Sequence, residues 1–87
     1  DSWKLLQATG GLVQAAGWHI NNIDSTVIAQ APKLAPFMGA MRERVAAALQ
    51  LDLNQVNIKA KTAEKLGPVG SGQSIEARAV VLIQSPI

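Results

Sequence analysis

Cysteine is absent from this 87-residue chain. That excludes disulfide bridges and thiolate metal sites. Tyrosine is absent as well, and two Trp and one Phe make up the whole aromatic complement, too few for a flat stacking platform. The single histidine, His19, supports neither a catalytic dyad nor a zinc site by itself. No apolar run approaches the roughly 20 residues that span a bilayer, and no basic-then-apolar leader opens the chain. A strong charge of one sign is also lacking. Eight Lys and Arg stand against six Asp and Glu, for a net +2. They are scattered rather than clustered, a poor footprint for nucleic acid. Asp1 rather than Met stands first, so sequence upstream is expected.

Small aliphatic residues are abundant. Hydrophobic residues are 48% of the chain, mostly Ala, Val, Leu and Ile, which suit sheet and helix packing or a subunit interface. The length allows one domain or part of one, and a chain this short gains stability from a partner surface.

Asp1 and Ser2 offer N-cap oxygens, and Leu5, Leu6, Leu12, Val13 and Ala16 predict a helical stripe that Gly17 ends. Gly10-Gly11 within it predicts a kink or a close approach. Ile20 to Gln30 reads as a strand, with Ile23, Val27 and Ala29 on one face and Asp24, Thr26 and Ile28 on the other. Pro36 suits the first turn of a second helix, whose stripe is Met38, Met41, Val45, Ala48 and Leu49, with Arg42, Glu43 and Arg44 on a solvated face. Leu51 to Gln55 is a turn, and Val56, Ile58 and Ala60 alternate with Asn57, Lys59 and Lys61 in a second strand. After a glycine-rich loop from Gly67 to Gly72, Ile75 to Gln84 predicts a third strand. Its all-apolar second half, Val80 to Ile83, is expected to be buried on both faces. The order implies an α+β fold, with helices on one face of a small mixed sheet and a right-handed crossover between the first two strands.

Two segments carry chemistry. Ala29-Gln30-Ala31-Pro32-Lys33-Leu34-Ala35 follows a strand end with backbone groups that no ladder uses, and its Lys33 can meet a phosphate. Read alone, it is better explained as an ordinary strand-to-helix connection. Lys61-Thr62-Ala63-Glu64-Lys65-Leu66-Gly67 sets a hydroxyl, loop amides and one carboxylate after a strand, the parts that hold a phosphate oxygen and a divalent cation. Thr62 capping a short helical turn, with Glu64 exposed, is an equal alternative. Trp3 and Trp18 are packing residues, and His19 is structural or exposed. Asp24 and Glu76 have no spacing partner for paired-carboxylate work.

Taken together, Asn22-Ile23-Asp24, Ile28-Ala29-Gln30-Ala31-Pro32-Lys33, Met41-Arg42 and Val56-Asn57-Ile58-Lys59-Ala60-Lys61-Thr62, followed by Glu64-Lys65-Leu66-Gly67, resemble the C-terminal half of the 2-C-methyl-D-erythritol 2,4-cyclodiphosphate synthase family. The resemblance covers essentially the whole chain. It implies a homotrimer with a ferredoxin-like layer in each subunit, with sites between neighbours. The implied enzyme is a cytoplasmic bacterial lyase of isoprenoid biosynthesis that cyclises a CDP-linked methylerythritol 2-phosphate and releases CMP. It implies zinc and a second cation, magnesium or manganese, that position phosphoryl groups. Membrane and nucleic acid are not implied partners.

By the same resemblance, the backbone from Ala29 through Gln30, Ala31, Pro32, Lys33 and Leu34 to Ala35 holds cytosine, with Lys33 near the phosphates. Thr62 stabilises the transferring phosphoryl group, Glu64 binds the second cation, and Lys61 and Ala63 add backbone contacts. The family's Asp-x-His zinc ligands belong to a first half that this chain does not contain, so residues 1–87 alone are expected to be inactive. Departures from the family pattern fall at Phe37, where His is common, at Pro68, where an aromatic is common, and at Ser71 and Gln73, where Arg and Glu line a central cavity that accepts isoprenoid diphosphates. Two other readings stay open. One is a non-catalytic CDP-binding or trimer-assembly module of the same fold, which binds CDP without turnover. The other is an unrelated α+β domain for anionic ligands or RNA, whose binding would fall steeply with salt.

Overall fold

The computed structural model describes residues 1–30 and 33–85. Helix α1 spans Ser2–Ala15, with the Asp1 carboxylate accepting the Trp3 N–H at 2.9 Å. A Schellman ending closes it. Gly17 takes a left-handed φ of 86°, its N–H donates to Gln14 and the Trp18 N–H reaches back to Val13. Strand β1 follows at His19–Ile28, then a 3-10 turn at Ala35–Phe37 feeds helix α2 at Met38–Leu49. A second 3-10 turn at Leu53–Gln55 carries a capping box between Asp52 and Gln55 and leads into β2 at Val56–Lys61. Helix α3 is one turn, Gly67–Gly70, and β3 is Glu76–Gln84.

The sheet order is β2-β1-β3. β1 pairs with β2 in parallel, from Ile23 opposite Val56 to Ile28 opposite Lys61. β1 pairs with β3 antiparallel, from His19 opposite Gln84 to Ile28 opposite Glu76, with a bulge between Ile20 and Asn22. The expected mixed sheet and α+β class are therefore present, with β1 at the centre. The parallel pair requires the crossover that α2 provides. β1 stops two residues before the predicted end, and its register leaves Ala29 as the last residue tied to β2, through Ala29 N–H to Lys61 O at 3.0 Å.

The core sits between α2 and the sheet. Val56 is 1% exposed, and Ile23, Ala29, Ala46 and Leu49 complete the buried set. Ala46 lies outside the predicted α2 stripe yet is more buried than its predicted members. In α1 the expected stripe shifts. Leu5 and Leu12 face solvent, at 69% and 73% exposed, while Leu6, Gly10 and Val13 turn inward. The cause is at Gly10, where an added Cβ would lie 2.8 Å from the Leu49 side chain. Without a side chain there, α2 comes close, and that contact sets the rotation of α1.

Three more expectations are corrected. Arg42 is half-buried rather than solvated. Its Nε donates to Val56 O at 2.7 Å and Leu53 O at 3.0 Å, and a terminal NH2 donates to Leu53 O at 2.5 Å, so the guanidinium fastens α2 to the start of β2. The predicted loop at Gly67 to Gly72 contains α3. Pro68 in its first turn has no N–H to leave unsatisfied. Val80 to Ile83 are exposed, not buried on both faces. β3 is an edge strand, and α1 leans on α2 rather than on β3, leaving an apolar cleft of about 390 Å³ beside Leu6, Val13, Val81 and Ile83. Trp3, half-buried, lies under the Arg44 guanidinium at 4.5 Å, and Trp18 is 39% exposed.

The radius of gyration is 14.6 Å, against about 12 Å for a compact domain of this length. The chain is elongated because two layers of short elements surround few buried side chains. Among the described residues, no helix is long and apolar enough to cross a membrane.

The sheet face away from the helices is polar along β1 and β2. Lys59 Nζ lies 3.1 Å from Asp24 Oδ2, and Asn57 Nδ2 donates to Asp24 Oδ1 at 3.0 Å. The hydrogen bonds from Lys59 and then Asn57 hold the Asp24 carboxyl below its ordinary pKa, with desolvation opposing them and the Lys59 charge adding to them. Because the folded value is the lower one, the pairing stabilises the fold above the unfolded Asp range and fades as pH falls through the folded value. Thermal melts from about pH 6 down to about pH 2 should therefore show a smaller loss of Tm for Asp24→Asn than for the parent, and parallel curves would contradict the pairing.

Two glycines test the packing. A Cβ at Gly70 would lie 2.3 Å from the Lys65 backbone carbon. Gly70→Ala is expected to lose about 1–3 kcal/mol by overpacking, more than the ~1 kcal/mol that Ala gains in a helix. Gly10→Ala should cost less, because a Leu49 methyl can rotate away whereas backbone cannot. Urea melts of the two variants decide it, and equal losses would refute the distinction.

Candidate nucleotide and cation site

Parallel strands leave a sheet at the same end, so β1 and β2 deliver the two segments singled out in the sequence to one place. A cleft of about 250 Å³ opens there, lined by Ala29, Gln30, Lys33, Leu34, Ala35, Ala60, Lys61 and Thr62. Crevices outside the carboxyl ends of parallel strands are where ligands bind in open α/β sheets. Of the predicted site residues, seven line this cleft: Ala29, Gln30, Lys33, Leu34, Ala35, Lys61 and Thr62. Ala31 and Pro32 lie outside the described residues. Ala63 and Glu64 do not line the cleft and continue the loop from its rim.

The segment after β1 is shaped by the 3-10 turn that starts at Ala35, with Pro36 in it. Phe37 N–H donates to Leu34 O at 2.8 Å, folding the chain back toward α2. Lys33 is exposed on the cleft wall.

The loop after β2 is ordered by its own polar atoms. Thr62 Oγ1 accepts the Glu64 N–H at 3.2 Å and also lies 3.2 Å from Glu64 Oε1, to which it can donate. Thr62 thus closes a side-chain turn on Glu64, while the N-cap of α3 is Leu66. Of the alternative reading of this loop, the turn with Glu64 exposed is present and the helix cap at Thr62 is not. Glu64 and Lys65 both adopt left-handed backbone, at φ 53° and 60°. Such residues cost about 1–2 kcal/mol each outside glycine and persist where surroundings fix them, often beside functional sites. The Leu66 N–H donates to Ala63 O at 2.9 Å, and the Lys65 N–H donates to Gln30 Oε1 at 3.0 Å. The amides of Glu64, Lys65 and Leu66 are thus engaged, whereas those of Thr62 and Ala63 have no bonded partner among the described residues.

Among the described residues, no group of three or more His, Cys, Asp and Glu could hold a metal ion. His19 lies at the opposite end of β1, so it does not join Glu64. A complete zinc site is therefore not built from these side chains. One exposed carboxylate, Glu64, beside one hydroxyl does fit a magnesium-type cation that takes its remaining ligands from phosphate and water.

Two features were not visible to sequence reasoning. The Gln30 side chain, rather than its backbone alone, bridges to the second loop across 35 positions. Arg42, read as solvated, secures the start of β2. Neither has a local signal, because each depends on a long-range approach. At Ser71 and Gln73 the structure shows self-contained bonding. Ser71 Oγ donates to Pro68 O at 3.0 Å, and Gln73 N–H donates to the same oxygen at 2.9 Å.

Comparison with known proteins follows the same lines. The YgbB family profile matches residues 1–84. A protein of Albidiferax ferrireducens named bifunctional enzyme IspD/IspF is 61% identical over 97% of this chain, which covers 20% of that protein. A 2-C-methyl-D-erythritol 2,4-cyclodiphosphate synthase of Verminephrobacter eiseniae is 60% identical over 95% of this chain and 45% of its own length. The crystal structure of 2C-methyl-D-erythritol 2,4-cyclodiphosphate synthase from Plasmodium vivax superposes with a TM-score of 0.94 at 34% identity, over 98% of this chain and 57% of that one. A Plasmodium falciparum IspF structure described as a CDP complex superposes with a TM-score of 0.87 at 31% identity, over 95% and 53%. This chain spans about half the length of the single-function relatives it matches. The sequence resemblance is borne out, and the chain belongs to the YgbB family.

Proposed function

We propose that residues 1–87 are the C-terminal portion of a cyclodiphosphate-synthase domain whose intact protein is a phosphorus–oxygen lyase of isoprenoid biosynthesis in the bacterial cytoplasm. The substrate is a CDP-linked methylerythritol 2-phosphate, and the products are the 2,4-cyclodiphosphate and CMP. The observation that carries the reading is the convergence of the Ala29–Ala35 and Lys61–Glu64 segments on one cleft. Relatives named for this activity, and a relative described with CDP, support it. The elongated shape and the exposed apolar side chains of β3 support an incomplete core. The intact protein is a homotrimer that places further side chains against this cleft.

Residues of this chain perform distinct tasks. The backbone along Ala29–Ala35 reads the cytosine edge, and Lys33 offers its ammonium to the diphosphate. On substrate binding the Thr62 hydroxyl turns its one O–H from Glu64 to an oxygen of the phosphoryl group under attack, and the open Thr62 and Ala63 N–H groups donate to phosphate oxygens. Lys61 adds its backbone at the strand end. Glu64 would hold magnesium or manganese, with its own N–H kept on Thr62 Oγ1. A bound divalent cation supplies charge neutralisation of the diphosphate oxygens. Zinc is held by residues outside this chain.

Two measurements test the reading. Intact mass near twice that of this chain, with CMP released in zinc and magnesium, supports the lyase. An intact protein of that size that binds CDP without releasing CMP is instead a binding module. In the active protein, Glu64→Gln should lower kcat by about 10²-fold or more and Thr62→Val by a similar factor, the range seen when one transition-state donor is removed. Full activity in both would overturn the assigned roles.

A further inference from the structure

We infer that the Gln30 side chain is a positioning residue that sets the cation-bearing loop against the base-holding segment. This rests on the nucleotide reading above, in which Gln30 contributes backbone alone. The geometry gives its side chain a separate task. Gln30 sits two residues past the end of β1, half-buried, and its Oε1 accepts the Lys65 N–H at 3.0 Å. The other bonds of that loop are internal. Glu64 N–H turns back to Thr62 Oγ1, and Leu66 N–H turns back to Ala63 O. Beyond the ladder's last bond, Ala29 N–H to Lys61 O, the Gln30 bond is the tie between the two segments among the described residues.

The bond also falls where the backbone needs it. Glu64 and Lys65 are consecutive left-handed residues that carry side chains, a conformation the chain leaves unless something fixes it. One side of Lys65 is fixed by Gly70, whose bare Cα admits the Lys65 backbone. Gln30 fixes the other side by taking the Lys65 amide. The Lys65 N–H belongs to the peptide that joins Glu64 to Lys65, so Gln30, by holding that peptide, acts on the cation ligand rather than by touching substrate. A bond made by one segment to the other means that the base-holding segment and the cation-holding loop are placed together.

The test compares Gln30→Met, which keeps the bulk and removes the acceptor, with Gln30→Glu, which keeps an acceptor. Both are made in the intact protein. Hydrogen exchange of the Lys65 amide is followed by NMR, and affinities for cytidine and for CDP with magnesium are titrated. Gln30→Met should speed Lys65 exchange by about tenfold and weaken magnesium-CDP about tenfold, or 1.4 kcal/mol, with a smaller loss for cytidine. Gln30→Glu should keep Lys65 exchange near that of the parent. Unchanged exchange in Gln30→Met, or equal weakening of cytidine and magnesium-CDP, overturns the inference. A parent protein that binds no CDP overturns the nucleotide reading itself, which the titration of the unmutated protein shows separately.

Discussion

In a parallel strand pair both chains leave the sheet in the same direction, and both then need somewhere to go. β1 and β2 are such a pair, in register from Ile23 opposite Val56 to Ile28 opposite Lys61. The segment after β1 must turn back through α2, and the segment after β2 must turn toward β3. The two turns therefore start side by side. The cleft, the Gln30 bond to Lys65 and the juxtaposition of Lys33 with Thr62 all depend on that one pairing. A slip by one residue would move Val56 and Ile23 off the helix-facing side and dismantle the core that holds the strands together.

The core itself is small, and its parts are coupled. Gly10 lets Leu49 approach, Leu49 anchors the end of α2, and Arg42 two turns earlier secures the entry to β2. The helices thus serve chiefly to hold the central and parallel strands. β3 receives its backbone bonds from β1 but little cover from the helices, so Val80, Val81, Leu82 and Ile83 remain exposed. Exposed aliphatic residues on both faces of an edge strand suit a chain that spans half the length of its relatives.

The site is built from loops on a rigid base, and its polar atoms are already organised. Thr62 orients Glu64, Gln30 takes the Lys65 amide, and Gly70 accommodates the Lys65 backbone. Preorganisation of this kind removes part of the ordering cost that ligand binding would otherwise carry. It also explains why residues poorly suited to left-handed backbone stand at 64 and 65. Their strain is offset by contacts from two neighbours rather than by local sequence preference.

By itself, the sequence determined the class of fold, the strands at residues 20–30, 56–61 and 75–84 to within two residues, the helix stop at Gly17, and the two segments that the fold brings to one cleft. Each of these rests on local physics: side-chain period, glycine at positive φ, proline at a helix start, and residue types next to one another in the chain. Tertiary structure decided the rest. It turned Leu5 and Leu12 outward, drew Arg42 inward, left β3 uncovered and assigned Gln30 to Lys65. Those outcomes depend on which surfaces meet across tens of residues. A period of 3.6 says that a helix has an apolar side, but the glycine-to-leucine contact between two helices chooses its rotation. An alternating or continuous apolar strand says that burial is wanted, but only the arrangement of layers says whether anything lies above it.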